Sequence, residues 1–487
     1  MVEDNTLTEG IVSTNKPSVR EVLTNATFMV LFAAQFIENI GRSISGLAIE
    51  FLIFELTGSP FLMGILSIIW LSPFVIIAPI AGALADRFDQ RKLMFISNII
   101  SAIASVGFVI IYLFIDQLTM INYTTVPNLN NNLPTIQPVP NYLHVLWPLF
   151  VLCFINSASA AFFFPSRNAY TRLIVKKKNL LIANSVASSV FQIATIFGFV
   201  LAGLLAARSY LLSFIFDAGT FAVSGILIGV IFLMGKKPPK VIREKSKNIK
   251  QEMQRFIEDI KIGYQTLREY PKISYMLLIF SFITFSLGAV TVLFIVIIQG
   301  EMNLGATWYG ILQAIMGVSG IITAIVLIRI GKIKRKILII NIAFGAMTVV
   351  MYIFAVVRNL YVMIVIMFSY GIMIVCINVP ASTLIQESVP YEKQGRVFGT
   401  QQLLQGVAQL LGMGIVALIA EYVLTMYVLL AGSVILTIVL IFGVLYSGRR
   451  GLMGSDYSEE ISPKGILDVE PEPALTSISY LESSDDV

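Results

Sequence analysis

From about residue 26 to residue 446 the chain is a succession of apolar stretches, each roughly 20 residues or longer, separated by short polar breaks. A bilayer core about 30 Å thick is crossed by a helix of about 20 residues, so this spacing limits what the chain can fold into more than any single motif does. Twelve spans are expected: 26–54, 61–84, 93–115, 145–165, 180–205, 210–234, 273–299, 306–329, 337–356, 360–386, 398–420 and 424–446. The stretches are continuously apolar and lack the two-residue alternation of barrel strands, and in lipid only helices or closed barrels satisfy their backbones. The predicted class is therefore an all-α membrane protein with twelve transmembrane helices. Composition agrees, since only 13% of the 487 residues are charged where a soluble domain carries about 25%. The polar N-terminal stretch before Phe28 does not read as a cleavable signal peptide.

The distribution of charge predicts orientation and excludes a partner class. With both termini placed in the cytoplasm, 31 of the 34 Lys and Arg fall in the tails and inner loops; the exceptions are Arg42, Arg208 and Arg358. This bias follows the positive-inside rule, and it explains the net charge of +5 without nucleic acid. A multi-pass protein of the cell membrane, in contact with lipid headgroups, is expected. Cys153 and Cys376 lie in separate spans and His144 is the single histidine. These offer no disulfide framework or metal site, nor the clustered groups a membrane-embedded enzyme needs, so neither an enzyme nor a cofactor is expected.

The spans divide into six and six, and the halves echo each other. Met63-Gly64-Ile65-Leu66 recurs as Tyr309-Gly310-Ile311-Leu312 at an offset of 246, and Arg91-Lys92 as Arg335-Lys336 at 244. Pro165 and Pro380 are offset by only 215, the difference being nearly the length of an Asn- and Pro-rich outer loop at 116–143. That loop is expected to be a mobile, solvated connection bearing one sequon, Asn122-Tyr123-Thr124. The expected organisation is a cytoplasmic tail at 1–25, a six-helix half at 26–234, a linker at 235–272, a second half at 273–446 and a disordered acidic tail at 447–487. Within the linker, Ile249, Met253, Phe256, Ile257, Ile260, Tyr264 and Leu267 follow helical spacing and predict an amphipathic helix on the inner membrane face. Two related halves of this kind are how many secondary transporters are built.

Between the second and third spans the chain reads Gly82-Ala83-Leu84-Ala85-Asp86-Arg87-Phe88-Asp89-Gln90-Arg91-Lys92. Gly82 would let helices approach closely, and Asp86 puts an anion at an inner helix end before three basic residues. The loop resembles the signature of the major facilitator superfamily and stands in the required place. The resemblance continues in Glu55-Leu56-Thr57-Gly58-Ser59, Pro165-Ser166-Arg167, Ala183-Asn184 and the residues around Asp217, Thr220 and Phe221. These look closest to the exporter branch that includes the enterobactin exporter and the macrolide efflux proteins. It implies two pseudo-symmetric halves, a monomer, transport of a small-molecule substrate, and a gating role for Gly82, Asp86, Arg87 and Arg91. The second-half loop, Gly331-Lys332-Ile333-Lys334-Arg335-Lys336, has lost the acid. Asp89 stands where the family usually has Gly, so a left-handed turn is expected there. Arg42 stands where relatives often have Asp, and Gly198-Phe199 where many antiporters have Gly-Pro.

Ionisable side chains within the bilayer are costly and mark either structural pairs or transport machinery. Glu38 and Arg42 lie one turn apart and can pair; the pair is either structural or a proton carrier. Glu50 has no base nearby in sequence, and Asp217 serves packing or coupling. Gln35, Asn39, Asn156, Gln192, Gln313, Asn378 and Gln405 are candidates for lining a cavity, although helix–helix hydrogen bonding is the commoner use of such residues. The expected function is proton-coupled efflux of amphipathic molecules, drug-like or siderophore-like, by alternating access. A lipid, lysolipid or nutrient transporter and a receptor-like protein remain the alternatives.

Overall fold

The computed structural model of the chain describes residues 18–126, 135–234, 269–331 and 333–452. A short helix α1 (Val19–Leu23) precedes α2 (Ala26–Thr57), α3 (Pro60–Ile76), α4 (Ala78–Arg87), α5 (Gln90–Leu113), the single turn α6 (Ile115–Leu118), α7 (Leu143–Ile174), α8 (Leu180–Arg208) and α9 (Tyr210–Met234). After the linker come α10 (Pro271–Ile295), which widens into a π-helical turn over Val296–Glu301, then α11 (Ala306–Ile330), α12 (Lys336–Val356), α13 (Leu360–Ser388), α14 (Tyr391–Ile419) and α15 (Thr425–Arg449). The expected amphipathic helix at 249–267 and nearly all of the acidic tail lie outside the described residues.

Among the described residues, ten helices, α5 and α7 to α15, are long and apolar enough to cross a membrane. The other two expected spans are also helical. The first is α2, 32 residues long but interrupted by Glu38, Arg42, Glu50 and Glu55. The second is split into α3 and α4 at Ile77, because Pro79 at the start of α4 has no N–H to continue the ladder. Between α2 and α3 the chain reverses in two residues: Gly58 ends one helix in the left-handed region and Ser59 caps the next, accepting from the Leu62 N–H.

The expected mobile loop is instead partly ordered. Met120–Val126 (β1) pairs antiparallel with Thr135–Asn141 (β2), Asn122 facing Val139. The run Ile121-Asn122-Tyr123-Thr124-Thr125-Val126 is rich in β-branched residues, which favour a strand. Pro138 and Pro140 are two apart, so both missing donors fall on the same side of a two-stranded ribbon, where they are tolerated. This ribbon marks one face of the molecule, called here the hairpin face. The opposite face carries the Lys and Arg clusters and is called the basic face.

The halves repeat in packing as well as in sequence. In the first, α2 packs on α8 and α9, α5 on α7 and α9, and α3 on α7; in the second, α10 packs on α14 and α15, α12 on α13 and α15, and α11 on α13. A polar tie repeats too. Asn98 on α5 donates to Ser224 Oγ on α9 at 2.7 Å, and Asn341 on α12 donates to Ser447 Oγ on α15 at 3.4 Å. Between the halves, α3 packs on α14 and α8 on α11. The repeated glycines sit at these two crossings. A Cβ at Gly64 would stand 2.2 Å from the Ala417 Cβ, and one at Gly310 would stand 2.2 Å from the Phe199 carbonyl oxygen. Near the hairpin face Glu421 accepts from Ser59 Oγ at 2.9 Å and from the Phe61 N–H at 3.3 Å. These approaches join the halves on the hairpin side.

Candidate functional site

Charge inside the first half is gathered on one stripe of α2 and on the helices facing it. Glu38 and Arg42 are i and i+4 on α2, the spacing that brings two side chains over one another. Their ion pair measures 2.6 Å, with Glu38 almost fully buried. The other guanidinium nitrogen donates to Asn156 Oδ1 on α7 at 3.1 Å, and the guanidinium lies 5.4 Å from the Phe221 ring centre on α9. Asp217 on α9, wholly buried, accepts from Ser105 Oγ at 2.6 Å. Arg167 is a second cation near enough to act on Glu38, though its own hydrogen bonds go to Asn168. Gln35 and Asn39, on the same stripe, are buried beside the pair.

This network has more hydrogen-bonding capacity than its own members use. Both polar atoms of Gln35, Glu38 Oε2, Asn39 Nδ2, Arg42 Nε, Asn156 Nδ2 and Asp217 Oδ1 are buried without a protein partner. A purely structural network satisfies its members, because each buried orphan costs about 1–3 kcal/mol. Gln35, Asn39 and Asn156 thus belong to the charged cluster.

Glu50 lies about two turns beyond Arg42 on α2 and is held from the other half. The Tyr309 hydroxyl on α11 donates to Glu50 Oε2 at 3.0 Å. The Tyr309 ring packs against Phe294 and against Phe51. Gln313, one turn on, faces a cavity lined by α10, α11, α12 and α13. The remaining expected cavity residues separate. Gln192 is exposed on α8 and its amide lies near Gly317 at the crossing of the halves, Asn378 is exposed and donates back to the Ile374 carbonyl of its own helix, and Gln405 is half-buried on α14.

The signature loop departs from expectation in two ways. Asp89 is extended, with φ −63° and ψ 112°, and it caps α5 by accepting from the Arg91 N–H. No left-handed turn forms, because an Asp before a helix gains a cap that Gly cannot offer. Its carboxylate also takes both Arg91 donors, at 3.1 and 2.8 Å. Burial opposes ionisation of Asp89, but the bonds from the Arg91 side chain and backbone outweigh it and hold the carboxyl below its usual range. Arg91 is buried and stacks 5.1 Å from the Phe232 ring centre. Gly82, expected to let helices approach, has no such neighbour: a Cβ there would meet nothing within 4 Å. Asp86 and Arg87 end α4, and their side chains lie outside the described residues. In the second half, the acid missing from the loop is supplied by Glu387 at the end of α13, which pairs with the buried Lys336 at 2.7 Å.

Residues 31–413 match the sequence profile of the Major Facilitator Superfamily. The chain belongs to that superfamily. Its members are membrane transporters that bind small-molecule substrates, and this chain is a multi-pass membrane protein of that kind. Among superfamily relatives it is 27% identical over 425 residues to YfiS, an MFS-type transporter of Bacillus subtilis (strain 168), covering 85% of this chain and 91% of the relative. It is 23% identical to macrolide efflux protein A of Streptococcus pyogenes, over 87% of this chain and 96% of that one. Among solved superfamily folds, a bacterial homologue of the iron transporter ferroportin in an inward-facing state aligns with a TM-score of 0.64 at 15% identity, over 86% of this chain and 98% of that one. The nucleoside transporter NupG aligns at 0.62 and 13% identity, over 86% and 98%. At such identities these two speak for the fold alone.

Two residues escaped the sequence reading. Tyr309 was visible only as part of the repeat, although a Tyr standing where the first half has Met63 introduces a hydroxyl into an apolar position. Tyr370 looked like one more aromatic in a span, and nothing in its neighbours marks it.

Proposed function

We propose that the protein is a proton-coupled exporter of amphipathic small molecules working by alternating access, with Glu38 and Arg42 as the proton-responsive pair. What supports this most is the under-satisfied network around that pair. Protonating Glu38 removes its charge, frees Arg42 for other acceptors and so redistributes bonds among α2, α7 and α9. Asp217 and Glu50 are the further carboxylates of the same machinery, Glu50 acting where the halves meet. Asp86, Arg87 and Arg91, with Gly82, form the gating loop, Arg91 being oriented by Asp89.

The likeness to macrolide efflux protein A supports outward transport. The Lys and Arg bias supports placing the basic face and both termini in the cytoplasm of a cell-membrane protein. Contact between the halves on the hairpin side then corresponds to an inward-facing state of a monomer built from halves 26–234 and 273–446 around linker 235–272.

The test uses cells expressing the full chain and challenged with erythromycin and a panel of amphipathic toxins. Wild type is expected to raise tolerance to at least one compound, and Glu38→Gln at equal expression to abolish the gain. Equal protection by both would remove Glu38 from the coupling. Uptake into proteoliposomes that ignores an imposed pH gradient would point to an uncoupled lipid or nutrient carrier.

A further inference from the structure

The second half contains a half-open cavity of about 210 Å³ lined by α10, α11, α12 and α13, lying between the middle of the bundle and the hairpin face. Helix bundles pack like organic solids and leave few voids larger than water, so a hole this size needs an explanation. Its wall is mainly apolar: Met316, Met351 and Met367 contribute thioethers, Phe294 and Phe354 contribute rings, and Thr291, Tyr309, Gln313 and Tyr370 are its polar members. Unbranched, polarisable Met side chains adapt to occupants of different shape. Apolar cavities of roughly 150 Å³ stay dry and accept benzene-sized molecules.

Among the fully buried polar atoms of the wall, the Tyr370 hydroxyl lacks a partner. Tyr370 is 93% buried by its 7% exposure, and its hydroxyl finds no acceptor in the protein. A buried phenol left unpaired is costly, and what it lacks is an acceptor for its proton. The Tyr309 hydroxyl, across the cavity, is by contrast already committed to Glu50. Thr291 on α10 is the exposed residue of the lining, so the cavity opens beside it.

We infer that this cavity is a binding subsite for an uncharged, largely aromatic or aliphatic group bearing a carbonyl, with the Tyr370 hydroxyl donating to the carbonyl oxygen. This rests on the exporter reading for the identity of its cargo, of which the cavity would hold one moiety. The site lies inside one half, separate from the charged network of the other. Its occupant would lie beside the Tyr309 ring, whose hydroxyl stays committed to Glu50.

Benzophenone is a fitting probe: it is uncharged and aromatic, carries one carbonyl, and on irradiation inserts into C–H bonds of nearby side chains. The full-length protein in lipid nanodiscs is irradiated with it, and adducts are mapped by peptide mass spectrometry. Saturable adducts are expected on Met316, Met351 or Met367. Tyr370→Phe, which keeps the ring, should reduce them about fivefold, the worth of one neutral hydrogen bond. Thr291→Trp, a change at an exposed position, should abolish them by closing the entrance. Adducts confined to exposed methionines such as Met29, Met234 and Met426 would overturn the subsite, as would cavity labelling indifferent to Thr291→Trp. Labelling unchanged by Tyr370→Phe would overturn the anchoring role. None of these readouts involves transport, so a failed exporter assay and a failed subsite are told apart.

Discussion

At the scale of single residues, the bond from Tyr309 to Glu50 is the most exposed to test, because it joins the two halves through one proton. A hydrogen bond contributes about 0.5–1.5 kcal/mol net, so its loss should shift the balance between closed and open states by about two- to tenfold. Tyr309→Phe keeps the ring against Phe294 and Phe51 and removes only the donor. Spin labels at Thr57 and Tyr422, on opposite halves near the hairpin face, should then report a larger share of long distances; an unchanged distribution would refute the latch. Gly310→Ala acts on the same contact by sterics. Its Cβ would fall 2.2 Å from a backbone oxygen of α8, which cannot rotate away, so transport should drop at least tenfold while the protein still inserts and binds detergent-stable. The pair Glu38 and Arg42 was legible in the sequence because i and i+4 is a local relation. The Arg42 bond to Asn156 was not, since those residues are 114 positions apart and helical phase does not say which helices meet.

Among the elements, the tie from Asn98 to Ser224 and its counterpart from Asn341 to Ser447 hold the outer helices of each half by equivalent bonds. Interhelical hydrogen bonds in membrane proteins average about 0.6 kcal/mol and reach about 1.7. Asn98→Leu and Asn341→Leu should each lower the melting temperature of the purified protein by a few degrees, the second more than the first, because Asn341 also accepts from the buried Tyr275 hydroxyl at 2.7 Å. The helix α1 is tied down on the basic face: Ser18 N–H donates to Asn179 Oδ1 at 2.9 Å, Asn179 donates to Glu21 at 2.7 Å, and Lys176 pairs with Glu21. The bond from Lys176, then that from Asn179, holds the Glu21 carboxyl down at about 2 from an ordinary 4.5. A depressed acid contributes its attachment above its free value and loses it as pH falls toward the bound one. The hydrogen-exchange protection factors of residues 19–23, referred to the intrinsic rate at each pH, should therefore be high at pH 6, fall between about 4.5 and 2, and already be low at pH 6 in Glu21→Gln. Helix positions were readable throughout because hydropathy alone sets them. The ribbon of β1 and β2 was not, since the Asn- and Pro-rich segment between the strands masked the β-branched run before it.

For the molecule as a whole, two halves with one packing plan carry unlike contents. The first holds Glu38, Arg42, Glu50 and Asp217 within its spans, while the second confines its charged residues to helix ends and keeps an apolar cavity inside. Filling that cavity by Met367→Trp should change which compounds are exported and leave the pH dependence set by Glu38 as it was, measured by comparing tolerance profiles with proton-gradient dependence in vesicles. A change in the pH profile instead would mean that the two halves share one site. The superfamily architecture was legible from repeat, loop and span count together. The division of contents was not, because it depends on which faces of α10 to α13 leave a gap, a property of side-chain packing rather than of pattern. Its consequence reaches beyond a single transport cycle. On the proposed roles, a chain with its charged network and its apolar subsite in different repeats can change what it carries by trading methionines and aromatics, one neutral step at a time, while the carboxylates stay untouched.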